Sequence, residues 1–327
     1  DKMMYKTDGT TAVTNDGAKI VAELMVKHPA AKMFVAMAES QENSCGDGVT
    51  GTLLLCAELL IEAGRLLQKG LHPLTVIEGY NQANTIAMNT IAEIATTCTS
   101  EELTNVAKTA LTGKGAEGAS EHLSEIIVEA LQTVDADPDY VTMHKMNSGG
   151  LFDSKILHGI VVRRRVLLDA LPSELSGAKV ATINGDLAPR KQIRTAEIEI
   201  GDASQLDAFL AAEEAAIDTL ANSLLSSGAN VFLCTGTVNK GLLHQLMRAG
   251  CFVAGEFDDS ELRNASLATG SRIIEHLNDL SAEDVGTAGR LITERKAATD
   301  QVEDLIRLEQ CPSPKVVTCE VGGANHL

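Results

Sequence analysis

The sequence is poor in aromatic residues and in positive charge. It has 327 residues, no Trp and an aromatic fraction of 3%. Proteins that bind single-stranded nucleic acids stack bases on aromatic side chains, so this composition argues against such a protein. The 27 Lys and Arg against 45 Asp and Glu leave a formal net charge of −18, whereas binding to phosphate backbones requires a basic surface. We therefore expect no nucleic-acid partner.

The sequence also lacks the patterns of a membrane protein, a disulfide framework and a zinc site. No apolar run approaches the roughly 20 residues that span a bilayer, and the first residues form no basic-then-apolar signal. The seven Cys are odd in number and never form a Cys-x-x-Cys pair, and the eight His show no metal-binding spacing. We expect a cytoplasmic protein with no membrane partner, and the length predicts two or three domains.

One segment carries the strongest chemical signal. Residues 46–52 read Gly-Asp-Gly-Val-Thr-Gly-Thr and precede an apolar helix that is predicted from near Leu53. Glycines let backbone N–H groups approach phosphate closely, and a helix N-terminus adds partial positive charge. The Asp47 carboxylate is a suitable ligand for the Mg²⁺ that accompanies nucleotide phosphates. The alternative interpretation is a Gly/Asp turn with Thr52 as the helix N-cap.

Apolar periodicity divides the chain into a helical first third and a later part in which strands and helices alternate. The predicted helices are 53–67, 76–94, 101–111, 119–131, 203–227, 241–249 and 260–269, and the predicted strands are 160–162, 180–183, 196–200, 230–234, 251–254, 272–274 and 315–321. The alternation from residue 230 implies a βαβαβ unit with parallel strands. Residues 113–118 satisfy Gly-x-Gly-x-x-Gly, but a helix precedes them, so we interpret them as a hinge rather than a dinucleotide site.

Eight short motifs occur in a fixed order along the whole chain. They are Thr-Asn-Asp-Gly-Ala at 14–18, His-Pro-Ala-Ala-Lys at 28–32, the glycine-rich segment at 46–52, Gly-Leu-His-Pro at 70–73, Glu-Gly-Tyr at 78–80, Leu-Thr-Gly-Lys at 111–114, Ser-Gly-Ala-Asn-Val at 227–231 and Glu-Arg-Lys at 294–296. In sequence and in order they resemble the motifs of the group II chaperonins, the family of the archaeal thermosome and the eukaryotic cytosolic chaperonin (TCP-1 family).

The resemblance implies a multidomain subunit of mixed α+β and α/β class. Residues 1–112 would be the N-terminal half of a mostly helical equatorial ATPase domain. A small mixed intermediate domain would comprise residues 113–160 and 293–327, and residues 161–292 would be an α/β apical domain that binds clients. A helical lid protrusion would lie near 201–227, where the alternative is a fully buried core helix. The C-terminal equatorial half would follow residue 327, so we interpret the chain as a piece of a longer subunit or a truncated product with an incomplete nucleotide pocket.

The resemblance also implies the roles of individual residues. Asp16 would be catalytic and position the attacking water, and Asp47 would coordinate Mg²⁺. The residues that would bind ATP are Asn15, Gly17, Gly46, Asp47, Gly48, Thr50, Gly51 and Thr52. Val49 replaces a threonine of the family motif and removes one hydroxyl from the phosphate site. For Asp16 the alternative is a structural type I′ or Asx turn.

Two functions follow from the resemblance. The first is an ATP-dependent chaperone subunit that folds unfolded polypeptides in a double ring with other chaperonin subunits, with ATP and Mg²⁺ as cofactors. It would be an ATPase in the complete subunit and inactive as this chain. The alternative is a truncated or divergent chaperonin-like protein that binds clients without ATP hydrolysis. An unrelated metabolic enzyme would require a set of convergent polar groups, which the sequence does not show.

Overall fold

The computed structural model describes residues 2–5, 11–146, 148–189, 203–294 and 304–323, with the backbone alone for Ala12 and residues 203–210. Within these residues the chain forms nine α-helices and three β-sheets, which confirms the predicted mixed α and β class. It divides into two compact units, the described residues up to Val128 and those from Glu129 onward. The assignment of equatorial, intermediate and apical domains stays a prediction.

The first unit is mostly helical. Its elements are β1 (Lys2–Tyr5), β2 (Thr11–Thr14), α1 (Gly17–Ala22), α2 (Pro29–Cys45), α3 (Val49–Gln68), α4 (Pro73–Ile94), α5 (Ser100–Leu111) and most of α6 (Ser120–Thr133). Strands β1 and β2 form an antiparallel pair that the sequence did not predict. Each His-Pro motif is a helix start, since His28 and His72 cap α2 and α4 and the following Pro occupies the first turn.

The long helices α3 and α4 leave most of their apolar side chains exposed. The buried residues are Val49 in α3 and Val76 in α4. Apolar side chains that are more than half exposed are Leu54, Leu55, Leu60, Leu74, Ile77, Ile86, Met88, Ile91 and Ile94. Exposed apolar patches of this kind are typical of surfaces that bind a protein, a membrane or a ligand, or that aggregate.

The second unit contains two of the three sheets. Its elements are β3 (Val141–Lys145), β4 (Lys155–Leu157), β5 (Ile160–Arg163), β6 (Glu174–Ile183), α7 (Ala203–Ser226), β7 (Val231–Cys234), α8 (Lys240–Arg248), β8 (Phe252–Ala254), α9 (Asp259–Thr269), β9 (Ile273–Ile274), β10 (Gly286–Glu294), β11 (Leu305–Glu309) and β12 (Val317–Val321). The strand predicted at 196–200 and the last two residues of the Glu-Arg-Lys motif lie outside the described residues.

The larger sheet of this unit has seven strands in the order β5-β11-β10-β6-β7-β8, with β9 paired to β6. Strands β6, β7 and β8 run parallel, and β9 is parallel to β6, which confirms the predicted βαβαβ unit. Strands β5, β10 and β11 extend the sheet in antiparallel fashion, and β10 and β11 were not predicted. Fully buried side chains such as Phe232, Phe252 and Leu246 form the core.

The smaller sheet of the second unit has the order β3-β12-β4. Strand β12, which the sequence predicted, lies between β3, to which it is parallel, and β4, to which it is antiparallel. Its two neighbours β3 and β4 were not predicted. Strand β12 follows β11 in the chain, and β11 belongs to the larger sheet. Residues 305–321 therefore connect the larger sheet to the smaller one.

Within residues 211–226 of α7, the buried side chains lie in the last turns. Leu220, Ala221 and Leu224 are buried, whereas residues 211–219 are exposed apart from a half-buried Ile217. The alternative of a fully buried core helix is therefore wrong for residues 211–219.

Among the helices of the described residues, none combines the length and the hydropathy that crossing a bilayer requires.

Candidate functional site

The segment at residues 46–48 is a tight loop between two long helices. Gly46 ends α2 with a φ of 68° and Gly48 precedes α3 with a φ of 81°, both in the left-handed region that favours glycine. Between them, the Asp47 carbonyl accepts a hydrogen bond of 2.9 Å from Gln41 Nε2. The two glycines and Gln41 thus fix the backbone on either side of Asp47.

The loop leads into a helix whose N-terminus has no side-chain cap. Helices α1, α2, α4 and α5 each have a capping side chain, from Asp16, His28, His72 and Thr99. Helix α3 has Gly48 at this position and makes no side-chain cap hydrogen bond. The first N–H groups of α3 are therefore free of such a cap and add to the partial positive charge of the helix end.

The alternative in which Thr52 caps this helix is wrong. Helix α3 begins at Val49, earlier than predicted, and the Thr52 amide donates to the Gly48 carbonyl at 3.0 Å as an ordinary helical residue. Thr50 and Gly51 thus lie in the first turn, and a Cβ at Gly51 would meet no atom within 4 Å. The space beside Gly51 in the first turn of α3 is therefore open.

The Asn15–Gly17 segment lies against this turn. A Cβ on Gly17 would overlap Thr50 Oγ1, so only a glycine fits the observed approach. Asp16 caps α1, because its Oδ2 accepts a hydrogen bond of 3.1 Å from the Lys19 amide. Its φ of −70° excludes the type I′ alternative, which requires positive φ.

A third segment, residues 113–118, which the glycine pattern predicted as a hinge, joins the same site. Asn15 Nδ2 donates a hydrogen bond of 3.0 Å to the Gly113 carbonyl, and Lys114 Nζ lies 3.5 Å from Asp47 Oδ1. The Glu117 carboxylate holds the Gly113 amide at 3.1 Å. The sequence signal was the lysine between two glycines, but its position beside Asp47 depends on the fold of the whole unit.

The donor set suits Mg²⁺ that arrives with a nucleotide. Within the described residues no cluster of three or more His, Cys, Asp or Glu side chains could hold a metal ion by itself. The site offers the half-exposed Asp47 carboxylate as a metal ligand, whereas the Asp16 carboxylate caps α1. Mg²⁺ is commonly held by one or two carboxylates together with substrate phosphates and water, so Asp47 fits a Mg-nucleotide complex.

The comparison with known proteins agrees with the motifs and the fold. The model of the TCP-1/cpn60 chaperonin family matches residues 1–327, and the chain therefore belongs to this family. Thermosome subunit beta of Methanothermobacter thermautotrophicus is 36% identical over 331 residues, which is 100% of this chain and 61% of that protein. The thermosome subunits of Methanopyrus kandleri and Methanocaldococcus jannaschii are each 35% identical over 100% of this chain, and the alignments cover 62% and 61% of those proteins. The chain thus spans about three fifths of the length of these relatives.

Proposed function

We propose that this chain belongs to an ATP-dependent molecular chaperone subunit of the group II chaperonin type, with Mg-ATP bound at residues 46–52. The observation that carries the proposal is the meeting of three distant segments, around Gly17, Asp47 and Lys114, at the uncapped N-terminus of α3. A helix N-terminus approached by a carboxylate and a lysine is suited to a phosphate group with its metal.

Each predicted residue has a role that its position supports. Asp47 would hold Mg²⁺, which neutralises phosphate charge when bound. The N–H groups of Gly48 and Gly51 and the hydroxyls of Thr50 and Thr52 would bind phosphate oxygens. The Gly46 N–H donates to the Glu42 carbonyl at 2.8 Å, so Gly46 would contribute through the turn that it forms before Asp47. Gly17 would keep the segment that carries Asp16 close to α3, and Asn15 would tie it to the Gly113 carbonyl.

Asp16 would position the attacking water as the catalytic residue. Its Oδ2 already accepts a hydrogen bond from the Lys19 amide, which fixes the orientation of the carboxylate. A carboxylate has about four acceptor sites, so it can bind a water while it caps α1. This suits phosphoryl transfer, in which positioning and charge neutralisation supply most of the catalysis.

The partners and the domain roles are part of the same proposal. The relatives are thermosome subunits by name, so we propose that this chain acts in the cytoplasm in a double ring with other chaperonin subunits and folds unfolded polypeptides. The exposed residues 211–219 of α7 support the lid protrusion, and the exposed apolar faces of α3 and α4 support contacts with further protein segments. Residues 1–112, 113–160 with 293–327, and 161–292 would be equatorial, intermediate and apical.

One observation favours the second candidate, client binding without ATP hydrolysis. Val49 is only 4% exposed, so the residue that replaces the family threonine is packed into the interior and offers no polar group to a phosphate. A lost hydrogen bond to a charged group weakens binding by about 1.5–3 kcal/mol. Mg-ATP binding therefore has to be measured directly.

The test is a titration of the 327-residue chain with ATP by calorimetry, with Mg²⁺ and with excess EDTA. We expect Asp47→Asn to weaken Mg-ATP binding by roughly ten- to hundredfold and to abolish its dependence on Mg²⁺. Asp139→Asn, at an exposed position in the second unit, is the matched control and should bind like the unmodified chain. Equal affinity for Asp47→Asn and the control would refute the site.

Asp16→Asn separates catalysis from binding. Asn caps helices about as well as Asp, so the fold should be retained. We expect ATP affinity within about threefold of the unmodified chain, because Asp16 is proposed to contact water and not ATP. In a preparation that hydrolyses ATP, the rate should fall by at least about a hundredfold. Binding without any turnover in the unmodified chain would favour the second candidate.

A further inference from the structure

The second unit contains a buried ion pair that joins its two sheets. Arg307 lies on β11 of the seven-stranded sheet and Glu320 on β12 of the three-stranded sheet. Arg307 Nη1 is 2.5 Å from Glu320 Oε1, and the two residues are 8% and 0% exposed. We refer to Arg307 and Glu320 as the cross-sheet pair.

Each member of the pair has a second partner on its own sheet. Glu294 Oε1, on β10, lies 3.0 Å from Arg307 Nε, and Lys155 Nζ, on β4, lies 3.4 Å from Glu320 Oε2. Among the buried side-chain atoms of the described residues, Arg307 Nε and Glu320 Oε2 make no hydrogen bond. The cross-sheet pair thus holds both side chains in an orientation that leaves these second interactions incomplete.

These second partners lower the free-energy cost of separating Arg307 from Glu320. Removing one member of a buried ion pair is strongly destabilising, because the other charge remains buried without a partner. Here Arg307 would keep Glu294, and Glu309 also lies 4.0 Å away on the same strand. Glu320 would keep Lys155. Parting the two sheets would therefore leave neither charge unpaired.

The chain passes between the two sheets at two places near the pair, from β4 to β5 and from β11 to β12. Strand β4 continues into β5 through Gly159, where a Cβ would overlap the carbonyl oxygen of Leu308. The Cys311 amide donates a hydrogen bond of 3.0 Å to the His158 carbonyl, and Thr318 Oγ1 donates one of 3.0 Å to the Gly159 carbonyl. Both hydrogen bonds lie where the two sheets meet, and exchange of the Cys311 amide would report the separation of the sheets.

We propose that the cross-sheet pair is a latch between the two sheets of the second unit. In the closed state Arg307 and Glu320 bind each other. In the open state Arg307 binds Glu294 and Glu309, Glu320 binds Lys155, and the hydrogen bonds at the two crossings break. The proposal does not depend on nucleotide binding by the first unit.

Hydrogen exchange of the whole chain, followed by mass spectrometry, tests the latch. Arg307→Met should accelerate exchange by at least about tenfold at the Cys311 amide, which donates to the His158 carbonyl. Exchange in the core strands β7 and β8 should not change. Arg307→Lys, which keeps the charge, should retain most of the protection. The matched control Arg164→Met removes the ion pairs to Asp258, at 3.1 Å, and to Glu261, which involve no latch residue, and should leave the crossings unchanged.

The direction of the change in exchange rate in Lys155→Met decides between a latch and a purely structural pair. If Lys155 stabilises the open state, its removal should slow exchange at the crossings, although an ion pair is lost. Faster exchange in Lys155→Met would overturn the latch, and so would an equal acceleration of all amides in Arg307→Met, which indicates a purely structural pair. Should Arg307→Met not fold, Glu320→Gln, which removes the charge and keeps the volume, is judged by the same two criteria.

Discussion

Replacement of Gly17 by alanine tests whether the segment that carries Asp16 lies against the first turn of α3. Gly17 begins α1 and is not among the residues with positive φ, so its backbone accepts alanine. By itself, a Gly→Ala change in such a conformation stabilises a protein by about 0.4–1 kcal/mol. In this structure the added Cβ would overlap Thr50 Oγ1 and lie 3.4 Å from the Cβ and backbone N of Thr50.

The overlap with Thr50 Oγ1 decides whether Gly17→Ala stabilises or destabilises the first unit. Overpacking costs about 1–3 kcal/mol, and the stiff χ1 of threonine limits its relief. We therefore expect Gly17→Ala to destabilise the first unit by about 1–2 kcal/mol. Thr50→Ala removes the overlapping oxygen and leaves contacts of ordinary length, so the double variant should recover this loss. The double-mutant cycle should show a coupling energy of about 1–3 kcal/mol.

Urea unfolding, monitored by hydrogen exchange in peptides from α1 and α3, measures this effect separately from the second unit. Gly51→Ala is the matched control, since no atom lies within 4 Å of its added Cβ, and it should be neutral or stabilising. If Gly17→Ala behaves like Gly51→Ala, the contact between the two segments does not exist in solution. The double variant should regain stability without regaining ATP affinity, because the Thr50 hydroxyl is lost.

Three further predictions use other features of the chain. Gln41→Leu removes the hydrogen bond to the Asp47 carbonyl and should weaken Mg-ATP binding by roughly three- to tenfold with little change in melting temperature; unchanged affinity in calorimetry would dismiss this role. Burial lowers the pKa of His144 below its ordinary value of 6.5, so the unfolded chain binds a proton that the folded chain does not. Stability should therefore fall as the pH decreases below about 6.5, and His144→Gln should reduce this loss in urea midpoints measured between pH 5 and 8. The exposed apolar faces of α3 and α4 predict self-association, which a concentration-independent monomer in size-exclusion chromatography would contradict.

The sequence predicted best the helices and strands that depend on local patterns of residues. The helices α7, α8 and α9 and the strands between them follow from apolar periodicity and from glycines at their ends, and their alternation fixes parallel pairing. The observed bounds of these helices and strands differ from the predicted ones by one or two residues. Strand β6, which precedes α7, begins at Glu174 and not at residue 180.

Strand β11 was missed because its buried charges have distant partners. All five residues of Leu305–Glu309 are buried, including Arg307 and Glu309, so apolar alternation gives no signal. Glu320 and Glu294, which pair with Arg307, lie on other strands and become neighbours only in the fold. A pattern read within one segment cannot contain this information.

The same limit applies to the candidate site. Residues 46–52 were recognisable because a glycine-rich loop before an apolar helix has a local meaning. The contact of Lys114 with Asp47 and that of Asn15 with Gly113 depend on how α1, α3 and α5 pack, so no local pattern predicts these two contacts. The family resemblance supplied the order of the segments and not their distances.

Val49 bears on the choice between the two proposed functions. Its side chain is buried, so the exchange of threonine for valine affects one hydroxyl and leaves the backbone donors of the loop in place. An anion at a helix N-terminus is bound chiefly by these N–H groups and by the helix dipole. The loss of about 1.5–3 kcal/mol from one hydrogen bond would weaken ATP binding without removing the groups that create the site. The uncapped N-terminus of α3, with Asp47 before it, therefore favours the ATP-dependent function over client binding alone.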